Sequence, residues 1–215
     1  MYAMKLASLR RRQLMLAGLA LSGCLVPGGT ARAAPAATAE EVVRRLVDQV
    51  WRTLAESDIE NVDSESLLAV LDEGADLSLL GRLVLGRYWR QANPRQRSEY
   101  LRLFRQYIFQ TFVQRLRQYA GPDLDYGAER FQIIASRRVD ERDILVQSRV
   151  DQPSGQPLRV DWRLREGAGE PVIIDLIVEG ISLLVTQRSE FAAVLERGGI
   201  DGLLSELRVR VTQPA

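Results

Sequence analysis

Histidine is absent from all 215 residues, and the chain has one cysteine and one lysine. The first absence removes the usual general base, the base of hydrolytic triads and the commonest metal ligand. A lone cysteine, Cys24, cannot pair within the chain, so a disulfide framework is excluded. There is no glycine-rich phosphate loop and no Cys/His metal spacing, and no serine has an imidazole to activate it. The pattern asks for no metal and no cofactor, and it points away from an enzyme. One acid stays in view as a base, Asp175, because it interrupts the otherwise apolar run Val172 to Val178. An acid so placed is either a tuned catalytic group or one hydrogen-bonded at a strand crossing.

Residues 1–33 read as an export signal. Lys5, Arg10, Arg11 and Arg12 precede a 13-residue apolar stretch, Leu14 to Val26, which is too short to span a bilayer. Pro27-Gly28-Gly29 breaks that stretch, and Ala31-Arg32-Ala33 offers a small-x-small cleavage site. Arg11-Arg12-Gln13-Leu14-Met15 also suits a twin-arginine signal, although Arg10 stands where Ser or Thr is preferred. Leu21-Ser22-Gly23-Cys24 resembles a lipoprotein box, and the small-x-small site nine residues later favours a free N-terminus instead. The expected location is the periplasm. Cleavage removes five basic residues and no acid, which takes the net charge from +1 to −4. The basic total belongs to the leader, so the remainder is not a nucleic-acid binder.

Residues 34–39 read as a small-residue, mobile leader and 40–211 as one domain, about 180 residues being enough for a sizeable core. Thr38 and Glu41 form a capping box, followed by Val43, Leu46, Val47, Val50, Trp51 and Leu54 at helical spacing. A short helix is expected from Ser64 to Glu73 and a third after an Asp76 cap. Asn93-Pro94 then ends one helix and starts the longest, Pro94 to Tyr119. Its apolar arc is wider than one stripe and must be covered on more than one side. Arg95, Arg97, Arg102, Arg105, Arg115 and Arg117 make the rest a solvated face or a docking surface for an acidic partner or anionic headgroups.

Beyond Gly121-Pro122 the period becomes two. Four strands are expected, Arg130 to Arg138, Asp143 to Asp151, Pro157 to Arg165 and Val172 to Glu179, joined by short turns into an antiparallel meander. The third alternates apolar with charged residues; the fourth is apolar on both faces and is expected to be central. Gly180 returns the chain to helix, Gly198-Gly199 interrupts it, and Asp201 starts a last one. The fold class is α+β: a four-stranded antiparallel sheet covered by N-terminal and C-terminal helices. The apolar surplus exceeds what one sheet face needs, and periodicity alone, which fits an ordinary filled core first, does not distinguish it from an internal cavity.

Two blocks carry a resemblance that separates these. Val84-Leu85-Gly86-Arg87-Tyr88-Trp89-Arg90 with Asn93-Pro94-Arg95-Gln96-Arg97 and Tyr100 is one. Asp175-Leu176-Ile177-Val178-Glu179-Gly180-Ile181-Ser182-Leu183, Arg188-Ser189, Phe191 and Gly199-Ile200-Asp201-Gly202-Leu203 is the other. Together they resemble the MlaC family of toluene-tolerance, or Mla-pathway, phospholipid-binding proteins, over roughly Ala39 to Arg210. Many members have Tyr where this chain has Gln187. The resemblance implies a soluble, monomeric periplasmic shuttle that keeps lipid asymmetry in the outer membrane. It would exchange phospholipid between an outer-membrane lipoprotein–porin complex and an inner-membrane ABC transporter with a ring-forming lipid-binding subunit. Acyl chains would lie between sheet and helices, with the headgroup in water. Facing arguments then nominate Tyr107, Ile108, Phe112, Val146, Trp162, Ile174, Leu176 and Val178 as the lining. Another apolar lipid, such as a hopanoid or isoprenoid, would use the same space. An enzyme acting on an apolar substrate through Asp175 is the remaining alternative.

Overall fold

The structure, a computed structural model, describes residues 38–55, 64–120, 130–152 and 155–212. The export signal, Cys24, most of the expected leader and the Gly121-Pro122 turn lie outside the described residues. Six helices and five strands follow in the order α1 (Ala39–Ala55), α2 (Ser64–Gly74), α3 (Leu77–Leu85), α4 (Tyr88–Gln91), α5 (Pro94–Ala120), β1 (Phe131–Arg138), β2 (Asp143–Val150), β3 (Leu158–Arg165), β4 (Val172–Val178), β5 (Ile181–Ser182) and α6 (Leu183–Thr212). Ala39, the last residue of the expected leader, is the buried first residue of α1.

Local chemistry starts the helices where the spacing predicts. At α1 the Thr38 amide donates to Glu41 Oε2 (2.7 Å) and the Glu41 amide to Thr38 Oγ1 (3.3 Å), a reciprocal box that satisfies two otherwise orphaned donors. Asp76 Oδ1 accepts from the Leu79 amide at α3. Asn93 and Gln96 exchange the same pair of bonds at α5, and Gln96 Nε2 reaches on to Asp201 Oδ1 (2.9 Å). Gly199 takes φ 60° and ψ −163° inside α6, so the expected stop is a kink between two helical halves.

The sheet is an antiparallel meander in the order β1-β2-β3-β4-β5, one strand more than expected. The added strand forms because Glu179 (φ 48°) and Gly180 (φ 80°) both adopt left-handed backbone, which turns Ile181 and Ser182 back onto Val178 and Ile177. β4 is therefore next to the edge rather than central. Ile173, Ile174 and Asp175 are nevertheless all buried in succession, since α3 and α6 pack over this strand. Two bulges interrupt the pairing, one at Ile134 and one at Ile174. Each inserts a residue without a cross-strand partner and shifts the alternation of faces.

One contiguous core per domain is usual. Here the buried side chains form two clusters. Val43, Leu46, Val47 and Leu54 of α1 join Leu67 of α2 and Val146, Leu164 and Ile173 of the sheet in the first. Leu85, Tyr100, Leu103, Phe104, Phe191, Leu203 and Leu207 of α3, α5 and α6 form the second. Leu80 and Ile108 border both. In the second cluster Tyr100 stacks on Phe104 (5.5 Å between centroids), and Phe191 meets both rings edge-on. The Tyr100 hydroxyl donates to the Gly81 carbonyl (3.0 Å), and its burial pushes its pKa well above the ordinary phenol value.

The wet face of the sheet is held by charge. The Asp143 carboxylate is shut off from solvent and accepts from Arg165 Nε (2.7 Å) and Nη2 (2.9 Å) and from Arg163 Nε (2.8 Å). Asp140 Oδ1 accepts from the amides of Arg142 and Asp143, closing the β1–β2 turn. The expected arginine face of α5 is divided in use. Arg97 bonds the Trp89 carbonyl and lies over its ring, Arg105 pairs with Asp72, and Arg115 turns to the interior described below.

Candidate functional site

Between the two clusters the packing leaves a partly open pocket of about 310 Å³. That is the lower end of the ~300–1,000 Å³ typical of ligand pockets. α1 supplies Leu46, Val47, Val50 and Trp51; α3 supplies Leu77, Leu80 and Val84; α5 supplies Phe104, Ile108, Thr111, Phe112 and Arg115. The sheet contributes Phe131, Val150, Leu158, Val160, Trp162, Ile173, Leu176 and Val178, and the start of α6 closes the wall with Leu183 and Leu184. The surface is almost wholly apolar. Trp162 shows how a polar atom is kept off it: its Nε1 donates to Ser148 Oγ (2.9 Å), and that hydroxyl donates to the Val160 carbonyl. The indole then offers hydrocarbon to the pocket, with Phe131 edge-on at 6.2 Å.

Of the eight side chains nominated from the sequence, Ile108, Phe112, Trp162, Leu176 and Val178 line this pocket and Tyr107, Val146 and Ile174 do not. Tyr107 turns toward α6, where its ring packs on Phe191 (5.8 Å) and its hydroxyl accepts from Arg210 Nη1 (3.2 Å). Val146 faces the right side of the sheet, opposite Trp162, but is sealed within the first cluster. Ile174 is displaced by the bulge. Arg163 pairs with Asp175 and Leu164 with Ile173, so Ile173 takes the pocket face that strict alternation assigns to Ile174. The α1, α3 and α6 walls were missed. Helical spacing marks Leu46, Val50, Leu80 and Leu184 as turned inward and carries no signal that the space before them is unfilled.

Asp175 borders the pocket, with both oxygens engaged. Oδ2 accepts from Ser182 Oγ (2.6 Å) and Oδ1 from the Leu184 amide (2.9 Å), so an acid on β4 caps the first turn of α6. This is the structural one of its two sequence readings. Asp175→Ala removes both acceptors and leaves a helix-start donor unmet, at a cost of about 2 kcal/mol. The expected fall in thermal midpoint is about 4–8 °C for a domain of this size, with Asp175→Asn losing less. An Asp175→Ala protein that melts with the wild type would remove this role.

The quoted sequence blocks are scaffold in the same sense. Gly86, at φ 56°, lies against the Arg188 guanidinium, where an added Cβ would approach Nη2 to 2.9 Å. Gln187, at the position where a Tyr was expected from the resemblance, is buried on the pocket wall and bonds Glu190. Among the described residues no cluster of His, Cys, Asp and Glu is arranged to hold a metal, and no helix is long and apolar enough to cross a membrane.

Fold and pocket together define an α+β protein whose helices close over one face of an antiparallel sheet around an apolar hollow. Residues 41–209 match the MlaC protein family, and the chain belongs to that family. The intermembrane phospholipid transport system binding protein MlaC of Haemophilus influenzae is 25% identical over 142 residues, 65% of this chain and 64% of that protein. The solved structure of a phospholipid-binding protein from Ralstonia solanacearum in complex with a phospholipid superposes with a TM-score of 0.68 at 25% identity. The match covers 82% of this chain and 98% of that one.

Proposed function

We propose that this protein binds phospholipid by its acyl chains and carries it across the periplasm between the outer and inner membranes. The observation that carries the reading is the apolar pocket at the junction of the two core clusters. Membership of the MlaC family, and the phospholipid held by a structural relative, supply the ligand class. The five pocket-lining residues Ile108, Phe112, Trp162, Leu176 and Val178 are assigned to the acyl chains, and Ile173 joins them.

Burying hydrocarbon is worth about 0.8 kcal/mol per methylene, so two ordinary acyl chains amount to roughly 20 kcal/mol or more. No free lipid crosses water against that cost. A hydrocarbon-lined protein interior offers the chains an environment close to the bilayer's, so loading and release are nearly balanced. Docking to a donor or an acceptor then sets the direction. The donor and acceptor follow from the family resemblance: an outer-membrane lipoprotein–porin complex and an inner-membrane ABC transporter with a ring-forming lipid-binding subunit. A monomeric carrier of this kind needs no catalytic residue, cofactor or metal.

The purified protein, extracted into organic solvent and examined by mass spectrometry, is expected to yield phospholipid at near one molecule per chain. A hopanoid or isoprenoid in its place would change the cargo and keep the carrier. An empty extract from protein that also takes up no added phospholipid would end the proposal.

A further inference from the structure

The polar groups on the pocket wall fall into two sets. Thr111 Oγ1 donates to the Tyr107 carbonyl (2.9 Å), Thr186 Oγ1 to the Ser182 carbonyl (2.9 Å) and Gln187 Nε2 to Glu190 Oε2 (3.2 Å). Asp175 is committed to the start of α6. Arg115 and Gln152 also line the pocket, and neither side chain has a hydrogen-bond, ion-pair or ring partner among the described residues.

An arginine without a counter-ion is unusual on an apolar wall, because a partly desolvated cation is unfavourable unless something anionic compensates it. Arg115 is half-buried, and it is the one arginine of the pocket wall among the described residues. It stands four residues after Thr111 and three after Phe112, hence one turn further along the same face of α5. Gln152 follows β2 by two residues, past the last rung, where Val150 pairs with Leu158. Phe112 and Val150, the neighbours of Arg115 and Gln152 on their elements, line the same pocket.

We propose that Arg115 receives the phosphate of the bound lipid, so that the site selects a phosphate-bearing headgroup rather than hydrocarbon alone. The inference rests on the pocket holding acyl chains. The guanidinium fork matches two phosphate oxygens at once. Phosphate also compensates the one pocket cation that no carboxylate of the described chain neutralises.

The test compares ligands sharing the same tails: dioleoyl phosphatidylglycerol, dioleoylglycerol, which has no phosphate, and oleate, whose anion is a carboxylate. Trp51 and Trp162 stand in the wall, so their fluorescence reports binding to the delipidated protein. The wild type is expected to prefer the phospholipid over dioleoylglycerol by about tenfold or more. Arg115→Gln should weaken phospholipid binding more than dioleoylglycerol binding and so erase that preference, and Arg115→Lys should keep part of it. A preference retained by Arg115→Gln, or absent from the wild type, overturns the phosphate assignment and leaves the pocket reading standing. Oleate weakened by Arg115→Gln as much as the phospholipid also overturns it, since the arginine would then read any anion. Failure of both diacyl ligands to bind the wild type removes this inference and the pocket reading together.

Discussion

Leu176→Asp is expected to empty the protein of phospholipid while the fold survives. Leu176 sits on β4 opposite Trp162, lines the pocket and is only half-buried. A carboxylate there must keep water beside it or be stripped of water by the incoming chain. Both options oppose burying hydrocarbon, by several kcal/mol for an unpaired charge. A loss of affinity on the order of a hundredfold or more corresponds to about 3 kcal/mol. The fold tolerates the change because an unloaded side chain at this site reaches solvent through the partly open pocket. Lipid extracted per mole of protein, read beside a thermal melt, decides the matter. Unchanged lipid content would take Leu176 off the wall. Ile174→Asp supplies the contrast: two positions away, sealed and outside the pocket, it should unfold the protein instead of emptying it.

Asp143→Ala should be the most damaging change on the wet face of the sheet. The carboxylate is inaccessible to solvent and gathers Arg163 and Arg165 from β3, while Asp140 fastens the same turn through the Asp143 amide. Removing one member of a buried pair typically costs 3–5 kcal/mol. Both arginines keep partial access to water, so about 2–3 kcal/mol is expected, or roughly 4–12 °C of thermal midpoint. An unaltered melt would show that the network adds nothing.

The same network sets a pH dependence. Bonds from Arg165 and Arg163 hold the Asp143 carboxyl below its ordinary pKa, and the Arg142 and Asp143 amides do likewise for Asp140. A folded pKa below the unfolded one means that the native state binds protons less readily. Its stabilisation is therefore complete above the unfolded carboxylate range, near pH 4, and is lost as pH falls through the folded values. Thermal midpoints should be level above about pH 5 and decline below about pH 4. Asp143→Asn should flatten that decline, and an acid profile identical to the wild type would count against the assignment.

Much of this architecture is legible along the chain. The Thr38–Glu41 and Asn93–Gln96 boxes, the Asp76 cap and the break at Gly199 involve groups within four residues of one another, and each is where local chemistry requires it. The antiparallel meander follows from short turns between period-two segments, and the wet face of β3 from its alternation. The absence of histidine likewise limits the chemistry without any coordinates.

What the linear pattern could not carry is how facing surfaces meet. Period-two reading places Ile174 with Leu176 and Val178; the bulge that exchanges it for Ile173 arises from pairing with β3, some ten residues away along the chain. The apolar character of β4 suggested a central strand, whereas its burial comes with α3 and α6 packing over a strand next to the edge. Tyr107 and Ile108 are adjacent and both apolar, yet only the position of α6 sends one to Phe191 and leaves the other on the pocket. Apolar periodicity thus determined which side chains turn away from water. Whether they fill the space they turn into depended on the distance between two clusters built from segments remote in sequence, and only the tertiary packing decides that distance.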